Sequence, residues 1–414
     1  MDLQYAAFLL SDTAFGESVL TSPPLSWLLL LGALTAFPSM SIDMYLPSLP
    51  AIAATFATDS AAVQYTLASF FVGLALGQAV YGPLADHYGR KPPLYAGLIL
   101  YVIASIGCAL APNILTLAVL RFVQAVGGCA GVVIARAVVR DRFDARTSAK
   151  IYSLLMLVMG LAPILAPLIG GWILMLAGWR AIFSVLTVFG FVTLILSWRH
   201  LPETKPMDTP SDIGIGSAMR VYGALLRDRP FIGYTLSGGF ALGGMFAYIT
   251  GSPHVFIELY GVPAESYGWL FGLNALGLIA SSQYNRRLLT RHSADTILRR
   301  TNRATVVLGL VLLAVVSSGW GGLPMLLIPL FGYIASIGFT GPNAMACALA
   351  KQGNRAGSAS ALVGTLQFGI ATITSMLVGL LNNNSALPMV AIIAGCGVLA
   401  YVTHRTLVGD GTFE

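Results

Sequence analysis

The chain is predicted to be an all-α integral membrane protein, with twelve transmembrane helices in two six-helix halves around a central cavity. Three observations predict it. Of 414 residues, 56% are hydrophobic and 10% charged, against about 25% charged in ordinary soluble domains. Charge-free runs longer than the roughly 20 residues needed to cross a bilayer as helix recur at 60–85, 92–120, 151–179, 304–350 and 356–404. These runs fall on either side of a charged stretch, 200–229, that also holds Pro202, Pro206 and Pro210. Two halves around such a loop is the layout of transporters whose substrate site lies between repeats near the bilayer midplane.

Adding the spans that carry a single charge places helices at 25–55, 61–83, 93–111, 114–140, 148–177, 180–199, 230–257, 265–285, 298–317, 323–350, 356–381 and 386–405. The two longest runs each hold two spans, divided by turn-forming clusters from Ser317 to Pro324 and from Asn382 to Pro388. The domains are therefore an N-terminal cytoplasmic segment (1–24), a first bundle (25–199), a cytoplasmic linker (200–229), a second bundle (230–405) and a C-terminal tail (406–414). The first 24 residues contain no Lys or Arg, so they lack the basic start of a secretory signal. They read as a flexible tail, an interfacial segment or the product of an upstream start codon.

Short cytoplasmic loops accumulate Lys and Arg. With both termini inside, all of the 23 basic residues except Arg121 and Arg180 fall on the cytoplasmic side. The outer loops carry acids, as with Asp59, Glu258 and Glu265. The net charge of +6 thus reflects topology, and a nucleic-acid partner is disfavoured. Four cysteines, Cys108, Cys129, Cys347 and Cys396, lie singly in apolar helices without metal-ligand spacing. They read as packing residues, and neither metal nor cofactor is expected.

Asp43 is the residue most expected to carry function. It sits in an apolar stretch where a charge costs about 2.5 kcal/mol or more, within Ser41-Ile42-Asp43-Met44-Tyr45-Leu46-Pro47-Ser48-Leu49-Pro50, which offers no neutralising neighbour. Because Ala51–Phe56 continues the apolar run, Pro47 and Pro50 are expected to kink the span without ending it, leaving Asp43 near mid-depth. The competing reading is an interfacial Asp capping a short outer helix. Such a carboxyl should exchange protons readily.

Three further patterns accompany it. Between the second and third spans runs Gly82-Pro83-Leu84-Ala85-Asp86-His87-Tyr88-Gly89-Arg90-Lys91-Pro92, in which glycines permit a tight turn and Asp86 and Arg90 stand at helix ends. The fourth span carries Arg121 and Gln124 one turn apart, and a buried Arg must find acceptors, side-chain or backbone. The fifth holds Met159-Gly160-Leu161-Ala162-Pro163-Ile164-Leu165-Ala166-Pro167-Leu168-Ile169-Gly170-Gly171-Trp172, small residues for close approach and prolines for bending.

Together these resemble the signatures of the major facilitator superfamily. The loop is similar to its second-to-third-span motif, with Gly82, Asp86, Gly89 and Arg90 implied as a conformational latch whose acid meets the other half in the outward-open state. The equivalent loop, Tyr284–His292, lacks the Asp and the glycines. Arg121 matches the fourth-span Arg linked to proton coupling, although Val126 stands where the family usually begins its glycines. Gly160, Pro163, Pro167, Gly170 and Gly171 match the fifth-span antiporter motif, with Ala166 replacing a Gly. With the sequence around Asp43 and Gly239–Ile249, the likeness narrows to the Bcr/CflA drug:proton antiporters, the bicyclomycin- and chloramphenicol-resistance group. Some relatives carry a second acid where this chain has Thr35, which implies one embedded proton carrier.

The resemblance implies a proton-coupled multidrug or antibiotic exporter of the bacterial inner membrane, a monomer in the lipid bilayer whose partners are small-molecule drugs and protons. Proton coupling falls to Asp43 and Arg121. Expected substrate contacts are Tyr45, Tyr65, Gln124, Met245, Phe246, Tyr248, Asn274, Gln367 and Phe368, with Gln78 and Asn343 as further polar candidates. For each lone polar residue an interhelical hydrogen bond is the alternative. His254 is expected to play a structural role at the outer end. A proton-coupled metabolite carrier is the alternative within transport. A membrane-embedded enzyme is disfavoured, because the acids are sparse and the histidines scattered.

Overall fold

In a bilayer every backbone polar group must be satisfied within the protein, so long apolar segments become helices. The computed structural model describes residues 25–143, 145–204, 215–352 and 356–409, and among them it contains helices and short connections without a strand. The expected segment 1–24, the middle of the linker and the end of the tail lie outside the described residues.

The first span is Leu25–Asp43, then a 3₁₀ turn, Leu46–Ser48, then Leu49–Thr55. The rest of the first half is Ser60–Tyr88, Lys91–Ala109, Ile114–Arg142, Ala145–Ala177 and Trp179–His200. In the second half stand Arg229–Pro253 with a π-helical continuation His254–Leu259, Ala264–Leu288, Ala294–Ser318, Gly322–Leu349, Ala356–Leu380, and Leu387–Thr403 with the continuation His404–Val408. Twelve long helices are thus present among the described residues, ten of them long and apolar enough to cross a membrane. Several helices outrun the expected ends: the second reaches Tyr88 and the eighth Leu288, since helix continues into water where apolar patterning no longer marks it. The linker also contains a short helix, Ile215–Leu225, that hydropathy did not predict.

Caps begin several spans. Asp59 accepts from Ala62 N–H at 2.8 Å and Asn113 from Thr116 N–H at 2.8 Å, satisfying otherwise orphan donors. Glycines then let helices touch. A Cβ on Gly73 would meet the Phe122 carbonyl at 2.5 Å, and one on Gly127 the Gly97 carbonyl at 2.6 Å, which binds the second and third spans to the fourth. The halves meet along two seams, second span against eleventh and fifth against eighth. There too backbones approach closely: a Cβ on Gly364 would strike the Gln78 carboxamide, and one on Gly268 would lie 2.7 Å from the Leu168 side chain.

Candidate functional site

Between the halves lies a cavity of about 350 Å³, within the range of small-molecule sites. The first span contributes Thr35, Pro38, Ser39, Ile42 and Asp43; the seventh Leu242, Met245, Phe246, Tyr248 and Ile249; the eighth Phe271 and Asn274; the eleventh Gln367 and Phe368. Among the described residues two charged ones line it, Asp43 and Arg136. Arg136 is exposed and marks the edge towards the basic end of the bundle. Along its wall Phe71 packs against Phe246, ring centroids 4.7 Å apart, and Phe368 lies 5.8 Å from Phe246.

Asp43 is 4% exposed and ends the helical piece of the first span. The span does run on past it, as expected, but the interruption falls at residues 44 and 45, ahead of Pro47. Among the described residues, nothing donates a hydrogen bond or forms an ion pair to its carboxylate. Tyr248 and Tyr267 of the second half are near enough to feel its charge. Asn274 donates to the Tyr248 hydroxyl at 3.1 Å, and Tyr248 stacks on Phe271, centroids 5.5 Å apart and planes 16° from parallel.

The fifth-span motif explains how the break is accommodated. A Cβ on Gly170 would collide with the Met44 carbonyl, so glycine there lets the fifth span seat directly on the peptide after Asp43. Gly171 faces the Ala264 carbonyl, 3.2 Å from where its Cβ would be, on the eighth span across the seam. Pro163 lines the cavity, Pro167 is buried, and Gly160 lies in the same helix.

Arg121 does not meet Asp43. It is fully buried inside the first half, its guanidinium carbon 4.2 Å from the Phe70 ring centre and 4.5 Å from that of Tyr45. Its Nη1 donates to Gln124 Oε1 at 2.7 Å, and Gln124 Nε2 donates to Ser105 at 2.8 Å. Among the described residues Nε and Nη2 have no hydrogen-bond partner. Cation–π contact stabilises such a group by about 2 kcal/mol or more when desolvated, and among the described residues no carboxylate pairs with it.

The expected substrate contacts divide accordingly. Met245, Phe246, Tyr248, Asn274, Gln367 and Phe368 line the cavity, as does Gln78. Tyr45, Tyr65 and Gln124 do not, which corrects the expectation. Tyr45 is buried and shares a 2.7 Å hydrogen bond with Thr66, because the break turns it away from the cavity towards Arg121. Gln124 is the partner of Arg121, and Tyr65 sits in the seam beside Gly379. Asn343 pairs with Asn285, donating at 2.8 Å. Cys129, read as packing, borders the cavity.

At the basic end, Gly89 adopts φ 85°, a left-handed turn that favours glycine, and it leads into Arg90. Arg90 donates to Asp86 at 2.8 Å and to Asp141 at 2.7 Å. Burial opposes its charge, yet Asp141 and Asp86 hold the guanidinium above its ordinary value. Glu203, after the sixth span, accepts from the Arg90 and Lys91 backbone N–H groups at 2.8 and 3.0 Å. Gly82 has open space around it. Neither Asp141 nor Glu203 was singled out in the sequence; an acid just beyond a span end, beside basic loops, is the signal that marks them. In the second half Asp295, 3% exposed, accepts from Arg299 at 2.6 Å and from Tyr234 at 2.9 Å, with His404 3.1 Å away. That cluster was not foreseen either.

Two helical bundles with a mostly apolar cavity between them, lined among the described residues by one carboxylate, have the layout of a membrane transporter. The chain matches the Major Facilitator Superfamily over residues 28–376, and it belongs to that family. It is 41% identical over 377 residues to the MFS-type transporter YdgK of Bacillus subtilis, spanning 90% of this chain and 93% of the relative. To the bicyclomycin resistance protein homolog of Haemophilus influenzae it is 33% identical over 396 residues, 93% of this chain and 98% of the relative. The partially occluded inward-open xylose transporter XylE from E. coli shares the fold with a TM-score of 0.72 at 14% identity, over 94% of this chain and 98% of that one.

Proposed function

We propose that the protein is a proton-coupled exporter of small, mostly apolar drugs or related compounds, exchanging drug for protons by alternating access. The observation that carries this reading is Asp43, a buried carboxylate lining a mostly apolar cavity between the halves. The similarity to a bicyclomycin resistance protein homolog and to the chloramphenicol resistance protein of Pseudomonas aeruginosa, 29% identical over 380 residues, supports the substrate class.

Drug enters from the cytoplasm past Arg136 and settles against Met245, Phe246, Phe271 and Phe368. Bound drug competes with the proton held by Asp43, so drug and proton occupy the cavity in alternation. The halves then rock about the two seams, drug leaves outward, and a proton from outside reloads the carboxyl. Tyr45 follows Asp43 by two residues and stacks on Arg121, so movement at the break in the first span reaches the buried guanidinium. Asp86 latches the basic end when that end closes. The chain works as a monomer in the bacterial inner membrane, with both termini in the cytoplasm.

The test is efflux of labelled drug from a pump-deficient bacterium expressing this chain, with and without a protonophore, after a growth-inhibition panel has identified the compounds. Drug retention on adding protonophore is expected. Efflux indifferent to it, or protection against no compound, would overturn the reading.

A further inference from the structure

At the end of the bundle opposite Arg136 stand polar groups that the exchange cycle above does not use. Ser60, the first residue of the second span, lies across the interface from Glu258, in the π-helical continuation of the seventh. Its hydroxyl points at both carboxylate oxygens, 2.9 and 2.7 Å away, so a side-chain hydrogen bond joins the two halves at this end. Rocking the halves apart there must break it. π-helical turns recur at functional sites, and this one sets His254 and Glu258 on one face, Nδ1 and Oε2 2.6 Å apart. That separation is short even for a charge-assisted bond.

His254 is 7% exposed, and its Nε2 is buried without a hydrogen-bond partner. The same small hollow contains Gln64 of the second span, whose Oε1 is also buried and unpartnered. A neutral imidazole donating through Nδ1 leaves two bare acceptors facing one hollow. An imidazolium resolves both, donating through Nδ1 to Glu258 and through Nε2 towards Gln64, directly or by one water. Other titratable groups around it are few. The second span adds Asp59, whose carboxylate caps Ala62; the eighth adds Glu265 and Tyr267, the latter bonded to Ser252 at 2.8 Å. Leu49–Thr55 and the facing ends of the eleventh and twelfth spans, with Val378, Asn382, Ser385, Pro388 and Met389, bring none.

We propose that Ser60, Gln64, His254 and Glu258 form the outer gate of the transporter, and that the gate closes on a doubly protonated His254, so that acid outside favours closure. Opening separates the imidazole from the Gln64 acceptor and lets water in beside it. The inference rests on the orientation proposed above but not on the identity of the drug or on Asp43.

The experiment places spin labels at Ala54→Cys and Tyr260→Cys, both exposed positions, with the native cysteines replaced by serine or alanine. An Asp43→Asn background silences the central carboxyl. Distances are measured in purified protein from pH 7.5 to 5.5. The short, closed distance is expected to gain population as pH falls, by up to about tenfold per pH unit for one proton. His254→Gln is expected to abolish the response, Gln64→Leu to shrink it, and Ser60→Ala to populate the open distance at every pH while keeping the response. A wild-type gate unmoved by pH, opening in acid, a full response in His254→Gln, or an unweakened closed state in Glu258→Gln would each overturn the proposal.

Discussion

Replacing Asp43 with Asn removes the one carboxylate among the described cavity-lining residues while keeping the side chain's shape and one carbonyl oxygen. Exchanging a neutral drug for one proton moves one charge per cycle, worth about 2.3 kcal/mol per 100 mV. At about 1.4 kcal/mol per tenfold, that sustains roughly fifty-fold accumulation before any pH gradient. Asn cannot titrate, so the variant is expected to carry drug only downhill, with a final ratio near one. Binding should survive, because Phe246, Tyr248, Phe271 and Phe368 still line the site and no hydrogen bond to Asp43 from the described residues is lost. Drug transport in proteoliposomes under an imposed potential measures the first quantity. Calorimetry in two buffers of different ionisation heat measures proton release, expected from wild type and absent from the variant. Uphill transport by Asp43→Asn, or equal proton release from both, would refute the single-carrier mechanism.

Arg121→Met keeps the volume against Phe70 and Tyr45 but not the charge. Removing a buried ion in favour of a packed apolar group is often neutral or stabilising, so melting temperature should hold while efflux falls at least about tenfold. Asp86 is half exposed in its pair with Arg90, and exposed pairs contribute only about 0–1 kcal/mol. Asp86→Asn should therefore spare expression and drug affinity and reduce efflux rate, and a full rate would leave Asp86 a solvated turn residue. Gly170→Ala puts a methyl into the Met44 carbonyl. Overpacking costs about 1–3 kcal/mol, read as a lower melting temperature, and Gly82→Ala, with open space around it, serves as the comparison that should not move.

Asp43 and Arg121 were legible as chemistry, because charged side chains in apolar text are conspicuous, but not as a pair or as separate sites. Both could have faced one cavity. They face apart because Asp43 lines the gap between the halves, whereas Arg121 points into the middle of its own bundle, among Tyr45, Phe70 and Phe183. Tyr45 and Gln124 looked equally suited to a ligand and instead serve that guanidinium. Six of the nine proposed contacts do line the cavity, those of the seventh, eighth and eleventh spans; the three that do not belong to the first half.

Bilayer thickness and the cost of unsatisfied backbone groups act on each segment by itself, which is why the amino-acid sequence alone determined the twelve spans, their division into halves and the position of each embedded charge. Tertiary structure decided which faces turned inward, since rotation and crossing of a helix depend on where backbones can approach, as at Gly170 and Gly268. It alone joined Glu203 to Arg90, 113 residues apart, and Ser60 to Glu258, 198 residues apart. Contacts at such separations are made only when helices pack, and hydropathy carries no record of which neighbour a side chain will meet.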